Sequence, residues 1–425
     1  MIASSRRIVI TGIGIVGPLG TDAASFSRSL HEGLSGVRPI QTFDTSGLPV
    51  RFAGEVPDFD AKTFVEKKDR RGLKVMARTI QLAVAGAQRA LDDGKVDKSE
   101  LDPTRFGVEF GAGLIASEIS DLVDAACVSA NCQPGRVDLE KWGEQGIPAI
   151  EPLWMLKYLP NMLACHVSIL HDARGPNNSV TAGDVAGLLA MGEAYRILLR
   201  DQADFFLVGG AESKLNPLSM VRQCLFEHLS RRNDEPAKAC RPFDRDRDGL
   251  VVGEGAAVFS VEELEHARRR GARIYGEIVG FGAAFDPTLG GDGLTRAIRA
   301  AFAEAGIEPR DIDHINAHGL STRESDAWEA RSLHDVFGGS PPPALAVKSY
   351  LGNLGAGGST TELAASLLAL SEGRVPPTLN YENPDPECPI SVLSGAGKSV
   401  ERPYVLKVSF TQMGQCAALI VRKWN

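Results

Sequence analysis

Along this chain, short unbroken apolar runs alternate with longer stretches in which apolar residues recur three and four positions apart. Arg7–Thr11 (RIVIT) is a β-branched run ending in glycines, and Ala23–Leu34 follows with helical spacing. The same reading predicts strands at Phe106–Glu109, Asn178–Thr181, Phe205–Val208, Ala256–Val261, Ile274–Val279, His314–Asn316, Ala344–Val347 and Val405–Phe410. It predicts helices at Leu73–Leu91, Pro160–Leu170, Ala186–Arg200, Val261–Arg269, Leu294–Ala305, Ser325–Phe337 and Thr361–Glu372. Strand followed by helix, many times over, predicts an α/β protein with buried strands covered by helices. The plan is run through twice, since VGGAESK (Val208–Lys214) and LKVSFTQMG (Leu406–Gly414) both read as late strands entering a glycine turn. A seam near Arg270–Ile274 then divides the chain into halves 1–270 and 271–425. No low-complexity linker separates them, so the halves are expected to share one core.

The 425 residues, 43% of them apolar, suffice for a large core. A net charge of −8 argues against nucleic acid or an anionic membrane as partner, because either demands a basic surface. No apolar run is long enough to cross a membrane, and MIASSRRIVITGIG has too short an apolar stretch for a signal segment, so a soluble cytoplasmic protein is expected. Cys127, Cys132, Cys165, Cys224, Cys240, Cys388 and Cys416 show no CxxC pair, which suits reduced thiols. No His/Cys/Asp cluster has metal-ligand spacing, so no metal site is expected. Gly12, Gly14 and Gly17 match GxGxxG after a strand. However, Pro18 and Gly20 stand where a helix should run, and no acidic residue ends a second strand about 20 residues on, so a dinucleotide site is rejected and no cofactor is expected.

Three stretches carry candidate chemistry: GPNNSVTAGDVAGL (Gly175–Leu188), INAHGLST (Ile315–Thr322) and VKSYLGNLGAGG (Val347–Gly358). The first reads as a strand passing through a tight turn into a small-residue helix, the layout that presents a nucleophile at a helix N-terminus. In this order the three resemble the active-site motifs of β-ketoacyl-acyl-carrier-protein synthases, the elongating condensing enzymes of the thiolase superfamily. The resemblance extends through ITGIGIVGPLG, GGAES, RPFDRDRDGLVVGEGAA (Arg241–Ala257) and YGEIVGFG, with an insertion at roughly 124–152. It implies the thiolase-like fold: two similar βαβαβ halves in a five-layer α-β-α-β-α sandwich, dimeric through an edge strand near the nucleophile turn.

A condensing enzyme needs a thiolate, donors that polarise a malonyl thioester, and an oxyanion hole. In the family these come from a Cys-His-His set. Here the resemblance places Asp184 at the cysteine, retains the first histidine as His318, places Asn353 at the second, and retains Lys348 and Glu362. It also implies a substrate-pocket gate at Gln412, with Met413 and Gly414, where the family has a GFGGTN-like turn. A carboxylate attacks thioesters poorly and would yield an anhydride, so ordinary condensation is not expected. A helix N-terminus stabilises a carboxylate by about 0.3–1 kcal/mol. Against a malonyl carboxylate at roughly 4 Å it would add repulsion of about 4 kcal/mol.

The remaining histidines, His31, His166, His171, His228, His266, His314 and His334, lack such context and read as surface or packing residues. Lys67, Lys68, Arg70, Arg71, Lys74 and Arg78 make a basic run that reads either as a solvated helical face or, by the resemblance, as the docking surface for an acidic acyl carrier protein. The reading as a whole is of a ketosynthase-like protein of a fatty-acid or polyketide pathway without normal condensing activity. It acts either as a chain-length-factor-like partner, in a homodimer or in a heterodimer with an active ketosynthase, or as a redirected acyl-carrier enzyme (malonyl decarboxylase, acyltransferase or hydrolase) using His318, Asn353 and Asp184.

Overall fold

The computed structural model describes residues 6–424 apart from Cys132 and Pro134. Its main strands are β1 (Ile8–Val16), β2 (Phe106–Ala112), β3 (Asn177–Val180), β4 (Phe205–Ser213), β5 (Glu254–Glu263), β6 (Gly276–Phe285), β7 (Ile312–Asn316), β8 (Ala344–Leu345), β9 (Tyr404–Phe410) and β10 (Gln415–Lys423). Five strands follow the order β1-β5-β4-β2-β3 and five the order β6-β10-β9-β7-β8, joined edge to edge by a short antiparallel pairing of Ile8–Ile10 with Gly276–Ile278. Each set has two antiparallel pairings followed by two parallel ones, so the topology itself repeats. The late strands β4 and β9 occupy equivalent places, as VGGAESK and LKVSFTQMG suggest.

The larger helices are α1 (Ala23–His31), α2 (Arg78–Asp93), α3 (Ile119–Ser129), α4 (Met162–His171), α5 (Ala186–Leu199), α6 (Pro217–Phe226), α7 (Leu264–Arg269), α8 (Asp292–Ala305), α9 (Arg323–Phe337) and α10 (Gly358–Glu372). Helix α2 covers one sheet and α8 the other, while α5 and α10 lie between and touch strands of both. This is the α-β-α-β-α sandwich. One apolar cluster joins Leu188 and Met191 of α5, Leu363 and Leu367 of α10, Phe206 and Phe259 of the first sheet, and Leu419 and Val421 of the second. The core is therefore common to both sheets.

Gly12 and Gly14 admit helix α2. A Cβ on either would lie 2.3 Å from Ala90 O or 2.0 Å from Gly86 O. Gly280 and Gly282 of β6 do the same for α8, with Ala301 O and Ala297 O at 2.2 and 2.1 Å. Close helix-on-strand packing is what Gly12 and Gly14 serve.

Several sequence expectations need correction. Helix α2 begins at Arg78 rather than Leu73, because Ala77 is extended (ψ 163°), and residues 70–75 form a separate 3₁₀ turn. The segment expected as helix from Val261 continues as strand to Glu263, with helix only from Leu264. Strand β8 stops at Leu345, short of Val347. Strand β10 and helices α3 and α6 were not predicted. Within 124–152 the described residues are largely helical, with short turns at Leu139–Lys141, Trp142–Gly146 and Ile147–Ala149. Cys165, Cys224, Cys240, Cys388 and Cys416 are free thiols, and Cys132 lies outside the described residues. So do residues 1–5, the first part of the stretch read for a signal segment.

Candidate active site

Strand β3 ends at Val180, and Gly183, with φ +55°, turns the chain through a single 3₁₀ turn into α5. That left-handed conformation suits glycine, and it delivers Asp184 to the head of the helix. The Asp184 side chain is 18% exposed and faces a cleft. Into the same cleft the loop after β7 brings His318, and the segment after the turn Lys348–Leu351 brings Asn353. Asn353 Nδ2 donates to Asp184 Oδ2 at 2.9 Å, and Asn353 Oδ1 accepts from Gly355 N at 3.2 Å. His318 Nε2 stands 3.8 Å from Asp184 Oδ2. Ser409 Oγ donates to Asp184 O at 3.2 Å and lies 3.4 Å from His318 Nδ1.

His318 is fixed from three sides. Its backbone N and that of Gly319 donate to Glu329 at 2.6 and 2.8 Å, tying the loop to α9. Its ring packs on Phe410 with centroids 4.4 Å apart. Behind it, Lys348 Nζ donates to His318 O at 2.9 Å and to Glu362 Oε1 at 2.6 Å, and faces His318 Nδ1 at 3.2 Å. An ammonium against Nδ1 assigns the ring proton to Nε2, the nitrogen that faces the cleft. Burial, together with Lys348 and Lys407, holds His318 well below its ordinary pKa, so the ring is neutral. Lys407 bonds the second carboxylate oxygen of Glu362 and donates to Ala317 O at 3.1 Å. Burial raises Glu362, but Lys348 and Lys407 outweigh it and keep the carboxyl below its usual range. Burial in turn lowers Lys407 to about 8.

The structure thus gathers Asp184, His318 and Asn353 in one cleft of about 210 Å³, with Gln412 and Met413 at its rim. Met413 is 77% exposed, so the rim is open to solvent. Gly414, expected in the pocket, is instead buried beneath the rim, where its O accepts from Asp286 N at 2.7 Å. Lys348 and Glu362, taken with the reacting residues, stand behind His318 and do not line the cleft. Sequence reasoning missed Lys407, Ser409, Glu212 and Lys214. Their signal was available: a lysine and a serine inside the apolar run of β9, and an acid and a lysine at the end of β4. Glu212 is buried, accepts from Ala356 N at 2.7 Å and lies 3.6 Å from Lys214 Nζ.

No described cysteine lines the cleft. Cys416 is buried beside Gly414 O, and burial pushes its thiol up to about 12. Around the turn the cleft presents the Asp184 carboxylate, an Asn353 amide with one N–H engaged by it, and a neutral imidazole N–H, with Lys214, Gln223 and Glu227 also in its lining. Among the described residues no group of three or more His, Cys, Asp or Glu is arranged to hold a metal. His314 joins Asp313 and Ser366 in a chain of 2.9 Å contacts that resembles a hydrolase triad, but all three are fully buried in the core, which makes the histidine a packing residue. Lys67, Lys68, Arg70, Arg71 and Lys74 are all exposed. Arg78 leaves that run and turns inward, donating to Glu254 at 2.6 and 2.7 Å. The run is a 3₁₀ turn and its approach, not the helical face expected.

A nucleophile-type turn, a buried histidine and a lysine-carboxylate support across two topologically repeated sheets define a condensing-enzyme scaffold. Residues 5–267 match the N-terminal domain of beta-ketoacyl synthase and residues 275–382 its C-terminal domain, and the chain belongs to that family. It is 35% identical over 428 residues to 3-oxoacyl-[acyl-carrier-protein] synthase 2 of Synechocystis sp., covering 99% of each chain. It is 36% identical to the protein of the same name from Coxiella burnetii, covering 98% of this chain and 99% of that one. Among solved structures it resembles "The ishigamide ketosynthase/chain length factor", with a TM-score of 0.87 and 31% identity over 99% of this chain and 100% of the other. A beta-ketoacyl synthase from Burkholderia phymatum gives the same TM-score at 30% identity, covering 99% of this chain and all of that one. Among the described residues no helix is long and apolar enough to cross a membrane.

Proposed function

We propose that this chain is a ketosynthase-family subunit that does not condense acyl groups itself and works as a chain-length-factor-like partner of an active ketosynthase in a fatty-acid or polyketide pathway. The observation that carries this reading is the bond from Asn353 Nδ2 to Asp184 Oδ2 at 2.9 Å. Where covalent acyl transfer needs a thiolate, the turn presents a carboxylate, and one N–H of Asn353 is engaged by it. A partner subunit needs an interface. Among the described residues the outer edge of β3 ends the sheet unpaired, and α6 exposes Leu225 and Phe226 by 70 and 80%. Large exposed apolar groups of this kind mark protein contacts. An acyl carrier protein is the proposed second partner. The exposed cations of residues 67–74 support it, as does the resemblance to a type II polyketide ketosynthase described in complex with its acyl-carrier protein (TM-score 0.83, 27% identity). The test is co-expression with an intact ketosynthase and carrier, with mass spectrometry of the carrier. The reading requires longer or more uniform acyl chains with this subunit than without it.

One observation favours a redirected enzyme: the neutral His318 presents Nε2–H to the cleft, where it can donate to an acyl oxygen. Loss of one such donor costs roughly 10²–10³ in rate. If His318→Ala lowers product by that factor while expression and assembly persist, the enzyme reading replaces the partner reading.

A further inference from the structure

The first residue of β2 and the last turn of α4 border a cavity of about 380 Å³ that shares no lining residue with the 210 Å³ cleft. Its volume lies in the range of small-molecule sites. Leu101, Phe106 and Leu170 give it an apolar floor, the first two almost fully buried, and Ile169 stands at its mouth with 74% exposure. Lys98 and His171 are the polar groups that face this floor.

His171 carries the argument. The side chain is only 6% exposed, Lys98 Nζ faces its Nδ1 at 3.5 Å, and its Nε2 is buried with no hydrogen-bond partner. An ammonium against Nδ1 assigns the ring proton to Nε2. Burial, then Lys98, lowers the ring's pKa to about 3, so it is neutral and Nε2 holds an N–H that nothing receives. Buried donors left in this way are rare in folded proteins. Lys98 likewise makes no ion pair among the described residues, because the nearby carboxylates are committed elsewhere. Asp172 accepts from Arg174 at 2.8 and 3.0 Å, Glu66 pairs with Lys68 at 3.0 Å, and Asp69 also acts on Lys68. One cation without a counter-ion and one buried N–H without an acceptor, set over an apolar floor, suit an amphiphilic anion. Bare phosphate would leave the floor wet, and a neutral alkyl group would leave both donors unpaired.

We propose that this cavity is a second ligand site, separate from the cleft, which binds a medium-chain carboxylate with its head on Lys98 and His171 and its alkyl part against Leu101, Phe106 and Leu170. The site stands whether the cleft is catalytic or filled.

The test titrates octanoate calorimetrically into the full-length protein, with butanoate, 1-octanol and inorganic phosphate as comparison probes. Octanoate is expected to bind, and butanoate to bind at least about ten-fold more weakly, since each buried methylene is worth about four-fold. Octanol and phosphate, each lacking one half of the match, are expected to fall at least about ten-fold short as well. Lys98→Met keeps the stem and removes the charge, and is expected to weaken octanoate about ten-fold or more. His171→Phe removes the N–H and should do the same, whereas His171→Gln, which returns an amide N–H near the place of Nε2, should recover most of the loss. Lys98 is exposed, so its variant keeps the test standing if His171→Phe does not fold. Octanol or phosphate binding as tightly as octanoate would overturn the assignment of an amphiphilic anion. Octanoate that binds equally well to wild type, Lys98→Met and His171→Phe is seated elsewhere, and the proposal falls. Absence of octanoate binding to the wild type overturns it outright.

Discussion

The pairing of Asp184 with Asn353 separates a filled, inactive site from a working one by its energetics. Asn353→Ala removes one bond to a carboxylate, worth about 1.5–3 kcal/mol, and frees Gly355 N from an acceptor, worth about 0.5–1.5 kcal/mol. Asp184→Ala removes the same first bond together with the attraction to Lys214. A double-mutant cycle isolates the shared bond, and the structure predicts a coupling of about 1.5 kcal/mol or more, read as urea midpoints at constant slope. The signs of the single variants matter as much. A carboxylate that only fills a disused site stabilises the fold, so Asp184→Ala should unfold at lower urea. A carboxylate held for catalysis is commonly retained at a cost to stability, and its removal then stabilises. A coupling below about 0.5 kcal/mol, or an Asp184→Ala protein more stable than wild type, would refute the filled-site argument.

Because position 184 carries a carboxylate, incubation with acyl carrier thioesters or a cerulenin-like electrophile should leave the peptide containing Asp184 unmodified by mass spectrometry, whereas Asp184→Cys combined with Asn353→His should become labelled there. Glu109, fully buried in β2, has its carboxyl raised to about 8, first by burial and then by Glu193. A raised acid contributes stability that is complete below its unfolded value of 4.5 and lost as pH rises through about 8. Glu109→Gln should therefore melt higher than wild type near pH 8 by on the order of 1–3 kcal/mol and show little gain near pH 4, and a constant difference across that range would sink the assignment. Reversing Lys67, Lys68, Arg70, Arg71 and Lys74 to glutamate should weaken carrier association at low salt and change thermal stability by no more than about 0.5 kcal/mol per substitution, since all five are exposed. Unchanged association by fluorescence anisotropy would return the run to a solvated surface.

Period and turn chemistry made the α/β order legible, because buried strands and layered helices write different spacings into the chain. What escaped was set by tertiary context. Strand β10 follows its rim so tightly that the two read as one glycine loop. Helix α6 carries apolar residues on the side away from the core and so gives no inward stripe. Asp184, His318 and Asn353 were legible through local motifs, and their convergence is real to within hydrogen-bond reach for one pair. Lys214 was not, because a lysine at the end of a strand reads as solvated until the carboxylates around it are placed.

On the proposed reading, the departures from the condensing-enzyme pattern are Asp184, Asn353 and Gln412, all of which face the cleft, while Lys348, Glu362 and Lys407 are joined to one another behind His318. The physics of burial explains the division. Glu362 is fully enclosed between Lys348 and Lys407, so removing the carboxylate leaves two buried lysines without their partner, a change that costs about 3–5 kcal/mol, while removing either lysine takes one of the two ion pairs from the buried carboxylate. A cleft residue in contact with solvent can exchange a thiol for a carboxylate at far smaller cost, provided a neighbour supplies a donor, as Asn353 does, and a nearby cation offsets the charge, as Lys214 does. Chemistry at the cleft can therefore change while the scaffold that positions His318 stays intact. On this argument Lys348→Met should cost stability even if the protein performs no reaction at all. A Lys348→Met protein that unfolds at the wild-type midpoint would mean the trio is not holding the fold, and that its integrity reflects a chemical role for His318 instead.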